Sequence, residues 1–145
     1  MAAMSGIHSA HPDWKIIATE TASPSNSRGI YTTLSQYGKS GDYQCTAYDT
    51  NAVSWGNTAR ESWWYTIKDD FVSGEFIWTG FDYIGEPTPW NGTDKGSVSG
   101  DKLAVPNSSY FGVIDTAGFE KDSFYFYTSQ WREDKQTLHI VPQSW

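Results

Sequence analysis

Residues 75–90 read EFIWTGFDYIGEPTPW, and this stretch decides which fold the sequence favours. It opens with Phe, Ile and Trp, which have high β-strand propensity. The glycines and prolines that follow break regular structure, so aromatic and acidic side chains are left at or beyond the strand's carboxyl end. Those side chains are Trp78, Asp82, Tyr83, Glu86 and Trp90. Flat apolar rings beside carboxylates suit a sugar, which has one CH-rich face and a rim of hydroxyl groups.

A second strand is predicted at residues 15–20, KIIATE, which ends on the carboxylate of Glu20 and is followed by the small polar run TASPS. Two strands that deliver polar chemistry at the same end are typical of an α/β barrel. The 145 residues suffice for one domain. A complete eight-stranded barrel takes about 250 residues. The sequence therefore predicts part of such a barrel.

The charge and the hydropathy of the chain argue against nucleic acid and membranes as partners. The net charge of −7, from 10 basic and 17 acidic residues, opposes binding to nucleic acid, and no basic cluster offsets it. No apolar run approaches the ~20 residues that cross a bilayer, so no membrane association is expected, and the amino terminus lacks a signal-peptide pattern. The single cysteine, Cys45, leaves the compartment open. The glycosylation sequons at Asn91 and Asn107 are patterns that recur by chance.

Aromatic residues make up 17% of the chain, with 8 tryptophans and 9 tyrosines. Most such rings pack inside proteins, so the excess favours a carbohydrate ligand without locating its site. A non-catalytic carbohydrate-binding module shares this composition and is the alternative interpretation. Its usual β-sandwich predicts many short strands and no amphipathic helix.

A first helix is predicted from the capping-box pattern of Thr58 and Glu61, in which each side chain caps a backbone N–H of the other residue. The helix would stop at Gly74, because glycine is common just past helix ends. Its buried stripe has four-residue spacing and consists of Ala59, Trp63, Ile67 and Phe71. Such a helix argues against the sandwich module.

A second helix is predicted to run to Trp131, with Asp122 or Ser123 as its cap. Its apolar face consists of Phe124, Tyr127 and Trp131. The charged residues 132–135 follow, and residues 136–141 have the composition of a further strand. The predicted order is therefore strand, loop, helix, strand, loop, helix, strand, in which the first six elements form two parallel βα units.

Two long segments lie between these elements. Residues 21–57 are too long for a plain connector and are predicted to be a functional loop. About forty residues follow the strand at 75–79, and within them residues 109–115 have enough apolar content to be held against the body of the protein.

No metal or organic cofactor is expected. His8 and His11 could present two imidazoles on one helical face, but no third ligand is near and Pro12 disfavours a continuing helix. The sequence also lacks a phosphate-binding loop and a nucleophile-elbow motif.

Several motifs at compatible spacing resemble, in order, the carboxyl-terminal part of the catalytic barrel of glycoside hydrolase family 2, in its β-galactosidase branch. These motifs are ETAS at 20–23, SRG at 27–29, WGNTA at 55–59, residues 74–90, SYFGVIDTAGF at 109–119 and SQW at 129–131. The resemblance covers residues 12–145. It implies a (β/α)8 barrel flanked by β-sandwich domains in a retaining exo-glycosidase.

The resemblance also implies how the chain is divided. Residues 1–132 would be a partial TIM barrel, with barrel strand seven at residues 15–20, strand eight at residues 75–79, and their helices. Residues 133–145 would be a linker and the first strand of a following β-sandwich domain. The remainder of the barrel and the flanking sandwich domains are then expected as partners.

Glu20 falls on the family's nucleophile, and Trp78 falls on the aromatic residue that forms the floor or wall of the sugar pocket. Asp82 lies beside it as an acceptor for a sugar hydroxyl. A retaining glycosidase also needs an acid/base carboxyl group, which in this family follows an asparagine, yet the sequence contains no Asn-Glu pair. Glu86 is the one local candidate for an acid. The resemblance therefore implies a β-galactosidase fragment that cleaves terminal β-galactosides within a larger protein and is inactive alone.

Overall fold

The computed structural model of the chain describes residues 2–32, 43–88 and 108–143. Within these ranges the elements are, in order, α1 (Ala2–Ala10), β1 (Ile16–Ala22), α2 (Ala59–Ile67), β2 (Val72–Trp78) and α3 (Asp122–Trp131). Trp90 and the two sequon asparagines, Asn91 and Asn107, lie outside the described residues. The structure therefore tests both predicted βα units but not residues 89–107, the middle of the loop after β2.

β1 and β2 pair in parallel, which confirms the predicted arrangement. The register places Ile16 opposite Val72 and Ala22 opposite Trp78. β1 extends two residues beyond its predicted end at Glu20, and β2 begins three residues before its predicted start. Because parallel strands end at the same edge of a sheet, the segments that follow β1 and β2 can build one site there.

The amino terminus of α2 has the predicted capping box. The Thr58 hydroxyl accepts a hydrogen bond from the Glu61 backbone N–H at 3.3 Å, and the Glu61 carboxylate accepts one from the Thr58 N–H at 3.2 Å. The carboxylate of Asp49 adds a second cap, because it accepts from the N–H groups of Ala59 and Arg60 at 2.8 and 2.9 Å. An acidic side chain at this end also complements the helix dipole. The long loop after β1 is thereby tied to α2.

The predicted stop of this helix is wrong, and of its predicted buried stripe only Ala59 is buried. α2 ends at Ile67, which is 52% exposed, and Gly74 lies inside β2. The residues of α2 that are buried are Ala59, Ser62 and Thr66. The reason is the carboxylate of Glu75, which accepts hydrogen bonds from the Ser62 and Thr21 hydroxyls, both at 2.7 Å. A carboxylate packed between helix and sheet needs such donors, so the buried face of α2 includes the Ser62 hydroxyl rather than a continuous apolar stripe.

α3 forms where it was predicted, but neither proposed residue caps it. Its N-cap is Lys121, whose side chain makes no capping hydrogen bond, and Asp122 is the first helical residue. The Asp122 carboxylate instead accepts from the Tyr31 hydroxyl at 3.3 Å and lies 2.6 Å from a ring nitrogen of His139. An aspartate at this position still favours the helix through its dipole.

A small apolar core lies between the two later helices and the sheet. It consists of the buried residues Ala59, Val113 and Tyr127, with Ile77, Ile114, Phe124 and Phe126 packed against them. The segment at residues 109–115 is held to the body as predicted, since Phe111 is buried and its carbonyl accepts from the Thr79 N–H at 3.3 Å. The helices also contact each other directly, through a 2.9 Å hydrogen bond from Trp63 to Gln130.

The strand predicted at residues 136–141 is not formed in the described part of the chain. A strand needs a partner for its ladder hydrogen bonds, and side-chain contacts hold this segment instead. The Tyr48 hydroxyl donates to the Pro142 carbonyl at 2.5 Å, and the His139 ring stacks on Tyr125 at 4.1 Å. The assignment of residues 133–145 to a following domain stays a prediction.

α1 was not anticipated by the sequence pattern. It brings His8 against Phe71, with ring centroids 4.0 Å apart, while His11 stacks on Trp14 at the same separation. Both imidazoles therefore pack on aromatic rings rather than facing each other. Among the described residues, no helix combines the length and apolar character needed to cross a bilayer.

Candidate functional site

Glu20 lies near the carboxyl end of β1, and its side chain is exposed. It lines a shallow cleft of about 220 Å³ together with Met4 of α1, further residues of β1 and its end, and residues 55–57. Besides Glu20, the polar and aromatic residues of that lining are Thr21, Ser23, Trp55 and Asn57, which all belong to the ETAS and WGNTA motifs. An open carboxylate at the end of a barrel-type strand is accessible to a ligand.

The backbone directly after Glu20 is strained. Ala22 and Ser23 both have left-handed φ angles, of 65° and 71°, which residues with a Cβ rarely adopt. Each such residue costs of order 1–3 kcal/mol and persists only where its surroundings fix it. Here the Ser23 N–H donates to the Trp78 carbonyl at 3.2 Å, and the Asn57 N–H donates to the Ala22 carbonyl at 2.7 Å. Strain of this kind concentrates at functional sites.

Gly56 explains why the WGN motif carries a glycine. A Cβ on Gly56 would lie 2.5 Å from the Ala22 carbonyl oxygen and 2.9 Å from the Ser23 Cβ. The turn that contains it is closed by a 3.0 Å hydrogen bond from the Gly56 N–H to the Val53 carbonyl. Only glycine lets this turn pack so closely against the strained end of β1, and the turn presents Trp55 with 70% of its surface exposed.

Trp78 is the last residue of β2, lies opposite Ala22 in the register and is 37% exposed. The peptide bond between Trp78 and Thr79 is cis. The indole meets the Tyr83 ring edge-on, with centroids 6.0 Å apart and an interplanar angle of 87°. The structure therefore brings two of the predicted site residues, Glu20 and Trp78, to the same edge of the sheet on paired strands.

Glu86 and Tyr83 form a local pair in the loop after β2. The Tyr83 hydroxyl donates a very short hydrogen bond to the Glu86 carboxylate. Burial, together with this acceptor, raises the pKa of Tyr83 to about 12, so the phenol stays a donor at physiological pH. Glu86 is not among the described residues that line the cleft around Glu20. The structure gives it a role as the partner of Tyr83.

Asp82 lies in a buried ion pair rather than on an open surface. One carboxylate oxygen lies 2.6 Å from the Lys121 ammonium, and the other accepts from the Gly112 N–H at 2.7 Å and from the Ser109 hydroxyl at 3.5 Å. The Asp82 side chain is 7% exposed and that of Lys121 is 2% exposed. A sugar hydroxyl would have to compete with these bonds for the carboxylate. The predicted direct contact of Asp82 with substrate stays a prediction.

Lys121 is a residue that sequence reasoning missed. Its ammonium also donates to the carbonyl of Asn26 at 2.8 Å and to that of Tyr110 at 3.3 Å. It therefore joins the loop after β1, the loop after β2 and the segment before α3. Burial lowers the pKa of Lys121 and raises that of Asp82, and the charge of each partner opposes the shift. A lone lysine before a helix carries no sequence signal of such a role.

Gly112 makes this ion pair possible. A Cβ at Gly112 would lie 2.1 Å from the Asp82 nitrogen and 2.5 Å from the Ile114 carbonyl oxygen. The glycine thus lets two backbone segments touch, so that its N–H reaches the Asp82 carboxylate. The glycine in the middle of the FGV sequence at residues 111–113 is therefore required for this close packing.

The SRG motif at residues 27–29 and the motif at residues 109–119 contact each other. Arg28, from the SRG motif, pairs with Asp115 at 2.7 Å and lies over the Phe119 ring at 4.7 Å. Burial alone would raise the pKa of Asp115, but the Arg28 hydrogen bond and the N–H groups of Phe119 and Ala117 outweigh it and lower that pKa. The motifs at residues 27–29 and 109–119 therefore form one structural unit.

Comparison with known proteins gives two relatives, and no family model matches the chain. The chain is 41% identical over 142 residues to the β-galactosidase BoGH2A of Bacteroides ovatus, an alignment that takes in 90% of this chain. It is 37% identical over 99 residues, or 67% of this chain, to a protein of Formosa agariphila named "Putative beta-glucuronidase". The chain spans 15% of the first relative and 8% of the second.

Proposed function

Because the chain belongs to glycoside hydrolase family 2, we propose that it is part of the catalytic barrel of a retaining exo-β-glycosidase that acts on terminal β-galactosides. Glu20 is its nucleophile, and Trp78 is the wall of the pocket that holds the sugar. The observation that carries the proposal is the position of both residues at the carboxyl ends of two paired parallel strands, where barrel enzymes build their active sites.

The proposed reaction is a double displacement. The ionised Glu20 carboxylate attacks the anomeric carbon, so that an ester bond forms while the bond from that carbon to the leaving oxygen breaks. A second carboxyl group, on another segment of the barrel, gives its proton to the leaving oxygen. The same group then removes a proton from water, which attacks the anomeric carbon and releases the sugar and Glu20.

Exposed apolar surface on the sheet supports the presence of neighbouring barrel elements. Ile17 on β1 and Phe76 on β2 are 54% and 62% exposed, and Trp64 and Ile67 on α2 are also open. Several large apolar side chains in one small αβ unit are more typical of an interface than of a free surface. We propose that the other strands and helices of the barrel cover them.

The choice of galactose rests on the relatives and on charge. The relative named as a β-galactosidase aligns with more of the chain, and at higher identity, than the one named as a glucuronidase. A glucuronide carries a carboxylate that needs a cation, and the two cations described above after β1 and β2, Arg28 and Lys121, are already paired with Asp115 and Asp82. The alternative of a β-sandwich binding module does not fit the helices and the parallel strand pair.

The proposal can be tested in a chimera in which this chain replaces the aligned part of BoGH2A. The parent chimera should hydrolyse chromogenic β-galactosides, because the host supplies the remaining strands and the acid/base group. A mechanism-based 2-fluoro sugar should label Glu20 and no other residue of the grafted segment, as peptide mass spectrometry would show. Labelling elsewhere in the segment would contradict the assignment of Glu20.

On its own, the 145-residue chain is expected to leave chromogenic β-galactosides unhydrolysed. The reason is that a retaining mechanism needs two carboxyl groups ~5 Å apart, and the described residues place no second carboxylate in the Glu20 cleft. The measurement is the rate of release of nitrophenol by purified chain against a buffer blank. Turnover that survives repurification and disappears in Glu20→Gln would refute this expectation.

Replacing Trp78 by alanine in the chimera should lower kcat/KM tenfold or more with a modest change in melting temperature. The loss arises because an indole that contacts the sugar contributes to the transition state, and kcat/KM reports that contribution. Trp14→Ala is the matched control, since Trp14 is exposed, precedes β1 and lies outside the site. If Trp78 were only a core residue, its truncation would instead cost about 3–5 kcal/mol of stability and leave kcat/KM of the folded fraction unchanged.

A further inference from the structure

We propose that Trp55 is the platform for the leaving group, so that the site prefers β-galactosides whose leaving group has a flat apolar face, such as an aryl or a pyranose ring. This inference rests on the proposed function, in which Glu20 attacks the anomeric carbon. It assigns a specificity role to a residue in the loop after β1. The juxtaposition that carries it is the shared cleft of Trp55 and Glu20.

A single exposed tryptophan is common on protein surfaces and proves nothing by itself. Trp55 differs because it lines the same cleft as the carboxylate and is 70% exposed there. Ser23 and Asn57 also line that cleft. An aromatic face with a few polar groups beside it is the usual composition of a sugar-binding surface.

The position of Trp55 is fixed by the backbone on both sides of it. Gly56 packs against the carbonyl of Ala22 so closely that no side chain fits, and the Asn57 N–H donates to the same carbonyl at 2.7 Å. On the other side, the Val53 N–H donates to the Ser23 carbonyl at 3.4 Å. A platform held by the strand that carries the nucleophile needs little ordering when a ligand binds.

Trp55 and Trp78 serve different surfaces of the site. Trp78 is on β2 and is not among the described residues that line the Glu20 cleft, whereas Trp55 follows β1 and lines it. A glycosidase must hold the sugar on one side of the broken bond and the leaving group on the other. We assign the sugar to Trp78 and the leaving group to Trp55.

The test compares two substrates in the chimera with BoGH2A. A naphthyl β-galactoside has a flat leaving group, whereas β-galactosyl fluoride has none that could stack. Trp55→Ala should lower kcat/KM at least tenfold for the naphthyl substrate and less than twofold for the fluoride, and Trp55→Phe should restore most of the loss. Transfer of galactose to an added aryl glycoside should fall in parallel, because the acceptor uses the same surface as the leaving group.

The outcomes separate this inference from the function on which it rests. Equal losses for both substrates, or no loss for either, overturn the role of Trp55 while Glu20→Gln still abolishes turnover. A folded parent chimera without activity, or an active Glu20→Gln variant, overturns the proposed function itself. If the chimera is insoluble, the indole N–H resonance of Trp55 in the 145-residue chain decides: it should shift with phenyl β-galactoside and not with galactose, and an unchanged resonance overturns the inference.

Discussion

Glu20→Gln in the chimera is expected to lower kcat for β-galactosides by about 10⁴-fold or more, because loss of a catalytic nucleophile removes several orders of magnitude in rate. The amide has almost the shape of the carboxylate but is a far poorer nucleophile. Because Glu20 is exposed on β1, the substitution removes no buried contact, so the melting temperature should change little. Steady-state kinetics on a nitrophenyl substrate and a thermal melt measure both effects.

Glu86→Gln provides the matched control for this prediction. Glu86 is also an exposed carboxylate beside the site, but it is held by the Tyr83 hydroxyl and lies in the loop after β2. The Glu86→Gln variant should retain most of the activity. It should lose only the part of the increase in the Tyr83 pKa that the Glu86 carboxylate causes. A Glu20→Gln variant with a tenth or more of the parent kcat would show that Glu20 is not the nucleophile. Loss of all activity in Glu86→Gln alone would move the catalytic assignment to that residue.

The positions of Glu20 and Trp78 could be predicted from sequence because both depend on local patterns. Each residue follows a short run of strand-forming residues and precedes a loop rich in small residues and turn formers. Once two such strands pair in parallel, their carboxyl ends meet at one edge. The capping box of Thr58 and Glu61 was predictable for the same reason, since all its partners lie within four residues.

Features that depend on contacts distant in sequence were not predictable. The buried face of α2 includes Ser62, whose hydroxyl donates to Glu75 on β2, so the helical apolar period predicted a stripe of which only Ala59 is buried. The roles of Lys121 and Asp82 depend on each other across the fold. A sequence pattern shows that an acidic residue follows a strand. It does not show whether that residue will be buried in a pair with a lysine.

The strand predicted at residues 136–141 shows a related limit of local patterns. Its composition favours an extended chain, yet strand pairing is a property of two segments, and the described residues provide no second one. Tyr48, Asp122 and Tyr125 hold the segment by side-chain contacts instead. Composition alone therefore could not show whether a partner strand would be present.

The buried ion pair of Lys121 and Asp82 should be the most sensitive point for stability. Lys121→Met is expected to lower the free energy of unfolding by about 3–5 kcal/mol, because it leaves a buried carboxylate without its cation. That loss is a large fraction of the 5–15 kcal/mol typical of a whole domain. Arg28→Met is the matched control, since its pair with Asp115 is half exposed and should cost less than about 1 kcal/mol. Urea unfolding followed by tryptophan fluorescence measures both.

The pH dependence of Lys121→Met distinguishes an unpaired charge from lost packing. Burial already raises the pKa of Asp82, and removal of the opposing lysine should raise it further. When folding raises a carboxyl pKa, the protonated form stabilises the fold. This stabilisation is fully present below the ordinary carboxyl pKa and is lost as pH rises through the folded-state pKa. The deficit in stability of Lys121→Met relative to the parent should therefore be smallest near pH 4 and largest at pH 7.

The double variant Asp82→Asn with Lys121→Met removes both charges and should recover much of the lost stability at pH 7. An equal deficit at both pH values, with no recovery in the double variant, would show that Lys121 stabilises the fold through its methylene stem rather than through its charge.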